Sequence, residues 1–192
     1  MGEKMHYQAI RNTLFAYLSA LEEDLRDIVQ EQVAPQYDGA NYLSEQRIIE
    51  LKRDGVDMDS TAEILLSLDF SEPWELISGN QSFVDKDIYT VISKHIKALE
   101  KYVTLRNTVV HSRPLDPDFL SQIIKLVEDI QNTNPANFQN VKKTHRNIKL
   151  DPSAAIEMPM VFDRSADRMH HNLPVPDFDE TGLIGREKEL AD

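Results

Sequence analysis

Apolar side chains recur at intervals of three and four residues over the first two thirds of the chain, the spacing that gives a helix one apolar face. The first run predicts a helix over about residues 7–33, which Pro35 and Gly39 end. Its apolar positions include Ile10, Leu14, Tyr17, Leu18, Leu21, Leu25 and Ile28.

Two short helices are predicted next. The first spans Ser44 to Arg53 and is stopped by Gly55. The second begins at a capping box, in which the Ser60 hydroxyl and the Glu63 carboxylate each accept a hydrogen bond from an open backbone N–H. This second helix is expected to direct three apolar side chains inward: Ile64, Leu65 and Leu68.

The chain contains one tryptophan, Trp74, which follows the helix-opening segment Ser71-Glu72-Pro73. A lone indole most often reports core packing, because its large ring buries much apolar surface. Trp74 is therefore predicted to be a core anchor.

A longer helix is predicted over about residues 84–112, because apolar positions keep helical spacing as far as Val110 and Pro114 forbids continuation much past Arg113. A last helix begins near Asp118 and runs through Ile130. Convincing strand alternation is absent from this region. The predicted fold is all-α, an antiparallel helical bundle.

The pattern changes after Asn134-Pro135. Residues 134–180 carry five prolines and show no evident helical period, so they are interpreted as a Pro-rich extension, either a linker or an arm packed on the bundle. The start of this stretch is basic and its end is acidic; the basic residues are Lys142, Lys143, Arg146 and Lys149.

The amino-acid composition excludes several classes of function. The chain has 192 residues, no cysteine and a net charge of −12. The absence of cysteine excludes disulfides, thiol catalysis and Cys-based zinc sites. The negative charge argues against broad coating of nucleic acid but not against a local basic strip. Lys94, Lys97 and Lys101 form one such stripe, which an ordinary solvated helix face also explains. Without a membrane span or an apolar signal core, the expected compartment is the cytoplasm.

The segment Arg106-Asn107-Thr108-Val109-Val110-His111 brings a cation, an amide and a titratable imidazole within two helical turns. Asn107 and His111 are an i,i+4 pair, and Arg113 returns to the side of Arg106. Cleaving RNA without metal requires a base, an acid and a cation on the phosphorane, and a two-fold dimer would supply two His and two Arg. The structural alternative is that Arg106 pairs with a carboxylate and His111 fills a buried polar position.

This RNTVVH segment resembles the signature of the HEPN superfamily, and the similarity extends over about residues 5–133, including LDFSEPWELI and YVTLRNTVVHSRPL. The resemblance implies a HEPN-type bundle, a homodimer and metal-independent endoribonuclease activity on RNA, as in toxin-like defence effectors. It makes Arg106, Asn107 and His111 the catalytic candidates. Other members are non-catalytic interaction modules, and that alternative stays open, as does a remoter role as substrate-binding partner of a nucleotidyltransferase.

Three neighbouring residues are candidates for substrate contact: Arg113, Lys101 and Tyr102. Tyr102 lies four residues before Arg106, where its ring either supports the arginine, stacks on a base or packs in the core. No metal site and no cofactor are predicted, because the adjacent pair His170-His171 lacks a third ligand at a predictable position.

The segment from Gly185 to Leu190, GREKEL, resembles the opening of P-loop ATPase modules. A phosphate-binding G-x-x-x-x-G-K-S/T loop does not occur in the chain, so ATPase activity is not expected of it. Residues 181–192 are interpreted either as the truncated start of an NTPase module in a longer protein or as a charged helix start at a disordered terminus.

Overall fold

The computed structural model describes residues 2–110, 118–133 and 136–151, with side-chain surroundings for all of these except residues 2–8, 96, 104 and 106–110. This part of the chain contains seven α-helices and no strand, which confirms the all-α prediction. The helices are α1 (Gly2–Ile28), α2 (Glu45–Arg53), α3 (Thr61–Leu66), α4 (Glu72–Gly79), α5 (Lys86–Val110), α6 (Asp118–Thr133) and α7 (Gln139–Leu150).

The first helix starts earlier than its apolar period predicts and changes its winding at its end. After Ile28 the backbone continues as a π-helix over Val29–Val33 and a 3₁₀ turn over Ala34–Gln36. Pro35 has no backbone N–H to donate, which explains why helical structure stops close to the predicted end.

The capping prediction for α3 is half right. The Ser60 hydroxyl accepts a hydrogen bond from the Glu63 N–H at 3.3 Å, as predicted. The Glu63 carboxylate does not return the bond to Ser60, and instead accepts from the Asp57 N–H at 3.2 Å. The reason is that the Ser60 N–H already donates to the Asp57 carbonyl in the preceding turn.

A hydrophobic core runs through all seven helices, and α1 lies against α4, α5, α6 and α7. The α3 residues predicted to point inward, Ile64, Leu65 and Leu68, are buried. Trp74 is buried as well and packs edge-to-face on Phe70, with ring centroids 5.6 Å apart. These contacts confirm Trp74 as a core residue.

Helix α7 corrects the interpretation of the region after residue 134. Residues 139–150 were expected to lack helical period, but they form a helix that packs on α1 and α6. Val141 of this helix and Phe138, the residue before its first turn, belong to the core and are essentially fully buried. The bundle therefore includes a helix that the predicted bounds of 5–133 leave out. Residues 152–192, which hold most of the Pro-rich extension and the GREKEL segment, lie outside the described residues.

Candidate functional site

The motif predicted from the sequence lies at the C-terminal end of α5. The backbones of Arg106 and Asn107 belong to the last turns of this helix, which ends at Val110, but their side chains are outside the described part. His111 and Arg113 lie outside the described residues altogether. What the structure describes here is the helix that carries the motif and the contacts that fix it.

The two remaining substrate candidates on α5 have opposite surroundings. Lys101 is exposed. Tyr102 is completely buried, its hydroxyl has no hydrogen-bond partner among the described residues, and burial raises its pKa. Tyr102 thus packs in the core, which corrects its candidacy for stacking on a base.

The lysine stripe of α5 faces solvent. Lys94, Lys97 and Lys101 are all exposed, and Lys94 forms an ion pair of 2.7 Å with Asp129 of α6. An exposed stripe with one lysine already paired to a carboxylate is what a solvated helix face gives.

A histidine and a carboxylate join α5 to α6 about three turns before the motif. His95 is buried, and its Nε2 lies 2.7 Å from Oδ2 of Asp129, the same oxygen that the Lys94 ammonium contacts. The hydrogen bonds from Lys94 and from His95 lower the pKa of Asp129 below its ordinary value. Together with the buried side chains Ile92 and Leu99, this junction fixes the axis of α5 on the bundle.

A second polar junction joins α1 to α7. Asp24 of α1 is fully buried, and its two oxygens accept hydrogen bonds from the backbone N–H groups of Asn140 and Val141, at 2.9 and 2.8 Å. These donors belong to the first turn of α7, where N–H groups have no partner within the helix. Asp24 therefore caps α7 from another helix.

Burial sets the protonation of this cap. Burial raises the pKa of Asp24 to about 6. The two backbone hydrogen bonds act in the opposite direction, and the nearby Asp27 charge adds to the increase. The cost of burying a carboxylate thus exceeds what two N–H donors recover.

Further along α7, His145 is buried against Tyr17 of α1, whose hydroxyl lies 2.8 Å from His145 Nδ1. Burial raises the pKa of Tyr17, so its hydroxyl stays protonated. We assign this O–H as the donor to Nδ1, because the reverse assignment would leave the buried O–H without an acceptor among the described residues. Burial, and then the Lys149 charge, lower the pKa of His145, while Glu128 opposes them. The ring is therefore neutral near pH 7 with its proton on Nε2. That N–H has no hydrogen-bond partner among the described residues.

A groove of about 460 Å³ lies between α6 and α7 beside this histidine. Its lining combines three cations with His145, one amide and one apolar side chain: Gln131, Lys142, His145, Arg146, Lys149 and Leu150. Sequence reasoning noted the cations only as the basic start of a linker. The i,i+4,i+7 spacing of Lys142, Arg146 and Lys149 was the signal that could have placed them on one helix face.

Comparison of the chain with protein-family models, with curated proteins and with solved structures finds no match. Within the described ranges no three His, Asp or Glu side chains group closely enough to hold a metal ion. None of the helices described there is long and apolar enough to cross a membrane.

Proposed function

We propose that this chain is a HEPN-like domain that cleaves RNA as a homodimer without a metal ion. The observation that supports the proposal is that Arg106 and Asn107 belong to the last turns of a long helix whose preceding turns are fixed in the core. A motif on a rigid helix end is suited to meeting a second copy of itself, and catalytic groups gain from rigid support.

In the proposed reaction, one His111 removes the proton from a ribose 2′-hydroxyl, and the 2′-oxygen attacks the adjacent phosphorus. The bond from phosphorus to the 5′-oxygen breaks, and a second His111, from the partner copy, protonates the leaving oxygen. Arg106 stabilises the charge on the phosphorane, and Asn107 orients the imidazole or the phosphate. Arg113 and Lys101 are proposed to contact neighbouring phosphates. The products are a 2′,3′-cyclic phosphate and a 5′-hydroxyl.

The test is incubation of the full chain with end-labelled RNA in excess EDTA, with analysis of the product ends. Cleavage that persists and leaves 2′,3′-cyclic phosphate is expected, because the proposed groups move protons and need no Lewis acid. Lys52→Ala, which removes an exposed cation of α2, is the matched control for charge and should cleave like the parent. A requirement for added magnesium or manganese would overturn the mechanism.

The dimer is tested separately by sedimentation at micromolar concentration. One copy supplies a single His and a single Arg of the motif, which is half of the proposed catalytic set. A chain that is monomeric at every concentration and yet cleaves RNA would contradict the two-fold arrangement.

The second candidate function is a non-catalytic HEPN-like module for oligomerisation or docking. The net charge of −12 favours it, because a strongly acidic chain repels a polyanionic substrate. Absence of cleavage together with dimerisation would support this candidate. In either case the GREKEL segment supports a proposed setting in which a downstream nucleotide-binding module controls the domain.

A further inference from the structure

We propose that the groove between α6 and α7 binds the phosphate group of a small phosphorylated molecule. This site is distinct from the motif at the end of α5, and the inference does not depend on ribonuclease activity. Three features support it: a positive helix face, a buried N–H donor that has no acceptor among the described residues, and a groove of ligand size.

The positive surface stands out from the rest of the chain. Helix α7 carries four cations and no acidic residue, in a protein whose net charge is −12. Lys142, Arg146 and Lys149 recur at i, i+4 and i+7, so they line one side of the helix over about 10 Å. All three line the groove, and Arg146 and Lys149 are exposed. The helix C-terminus by itself accounts for one such cation, Lys149, through the helix dipole.

The donor is the Nε2–H of His145. Because Tyr17 donates to Nδ1, the imidazole presents its remaining proton on Nε2, and this atom is buried with no partner in the part of the chain that the structure describes. An unsatisfied buried donor destabilises the folded state, and a bound acceptor oxygen would remove that cost. The exposed side chains around the groove must shift for a ligand oxygen to reach this atom, and long Arg and Lys side chains can do so.

Charge and shape favour phosphate over a single carboxylate. A phosphomonoester carries close to two negative charges and several acceptor oxygens, which suit three cations and an N–H. The Arg146 guanidinium matches two phosphate oxygens at once. Glu128, which acts on His145 from α6, offsets part of the positive charge. The remaining wall, Gln131 and Leu150, offers an amide and an apolar surface to the body of the ligand.

The volume agrees with a small molecule. Ligand sites commonly measure about 300–1,000 Å³, so a groove of about 460 Å³ holds a phosphate and the compact group attached to it. A polymer backbone would instead need cations continued along the surface, whereas this helix presents one compact group of cations.

The probe for the test is pyrophosphate, titrated into the full chain by isothermal calorimetry at about 0.1 M salt, where screening of surface charge is substantial. We expect a dissociation constant below about 1 mM. Arg146→Gln should raise it by at least about tenfold, because the guanidinium donates two charge-assisted hydrogen bonds to the phosphate. Lys143→Gln is the matched control, since it removes one exposed cation of the same helix that does not line the groove.

Two further measurements keep the proposal falsifiable. Nitrogen NMR should show the His145 Nε2 resonance moving on titration with pyrophosphate, and citrate, a polyanion of carboxylates, should bind at least about tenfold more weakly. No binding at 10 mM pyrophosphate, equal weakening by Lys143→Gln, or equal affinity for citrate would each overturn the site. Binding of a 5′-phosphorylated RNA oligonucleotide without binding of pyrophosphate would also overturn it, in favour of an RNA surface.

Discussion

Two buried histidines hold two different junctions of this bundle, and their surroundings differ more than their exposure does. His95 and His145 keep 8% and 6% of their surface exposed. His95 meets the Asp129 carboxylate between α5 and α6, with Lys94 on the same oxygen. His145 meets the Tyr17 hydroxyl between α1 and α7, and lies beside a groove lined by cations.

The comparison shows that the neighbours of a buried imidazole decide its role. A carboxylate partner satisfies His95 and makes it part of a structural junction, which supports the helix that carries the motif. Burial, and then the Lys149 charge, keep His145 neutral by lowering its pKa, and the phenol on Nδ1 leaves Nε2–H as a donor without a partner among the described residues. Among the described residues, the buried Nε2 of His95 has a hydrogen-bond partner, whereas the buried Nε2–H of His145 has none and is available to an acceptor.

The largest effect is expected at the end of α5, beyond the His95 junction. Arg106→Ala and His111→Ala should each lower RNA cleavage by on the order of 10² or more, the scale of losing a proton-transfer group or a transition-state cation. Both variants should keep the helicity and the thermal midpoint of the parent. Lys143→Gln on α7 serves as the control and should cleave normally. Folded variants that cleave at the parental rate would remove the motif from catalysis.

Next in size is a difference in stability between the two junctions. Asp24→Ala should lower the free energy of unfolding by about 2–3 kcal/mol, because it leaves two buried N–H groups at the start of α7 without an acceptor. Asp129→Ala should cost less, about 1 kcal/mol, because Lys94 is largely exposed and the buried His95 loses one hydrogen-bond partner where Asp24→Ala leaves two donors unpaired. Urea unfolding followed by circular dichroism measures both. If both variants lost the same free energy of unfolding, burial would not be what makes the α1–α7 junction the more stabilising of the two.

A pH dependence should distinguish the α1–α7 junction further. The folded-state pKa of Asp24 is about 6, above the ordinary value of 3.8, so the folded state favours its protonated form. This contribution to stability is fully present below pH 3.8 and is lost as the pH rises through 6. Relative to Asp24→Asn, the parent should therefore lose about 1 kcal/mol between pH 5 and pH 7.

Unfolding of the parent and of Asp24→Asn in parallel at several pH values isolates this term from the other carboxylates. If the parent instead gained stability relative to the variant over that range, the N–H donors and the helix dipole would outweigh the burial of the charge.

The smallest effect concerns the titration of the histidine itself. NMR titration should give His145 a pKa below its ordinary value of 6.5, because burial and the Lys149 charge disfavour the imidazolium. Lys149→Gln should raise that pKa by removing the charge, while Lys143→Gln should raise it less. An unchanged His145 pKa in Lys149→Gln would mean that the groove cations do not act on the ring.

The spacing of apolar residues predicted much of the fold, because a helix places residues three and four positions apart on the same face. Ile64, Leu65 and Trp74 are buried as their spacing and type indicated. Helix α7 was missed although Phe138, Val141 and His145 follow helical spacing. Its four cations and the histidine at an inward position weaken the apolar signal, and the neighbouring prolines suggested an extended segment.

The buried polar residues were less predictable than the apolar ones. Asp24 looks like one of many solvated carboxylates in an acidic chain, and its burial follows only from the packing of α1 on α7. The sequence left Tyr102 as either a packing residue or a substrate contact, and its burial shows that it is a packing residue. The motif residues Arg106, Asn107 and His111 remain a prediction from the sequence.

The sequence by itself determined which stretches are helical up to residue 133 and which of their faces are apolar, because both depend on residues three and four positions apart. It also contained the candidate chemistry of RNTVVH. Only the tertiary structure decided which polar groups are buried and paired. Tyr17 and His145 lie 128 positions apart, so their contact arises from the packing of α7 on α1. The same packing leaves the Nε2–H of His145 without a partner among the residues that the structure describes. Burial and hydrogen bonding depend on residues that are close in space, and the spacing of residues along one helix does not predict which distant residues these are.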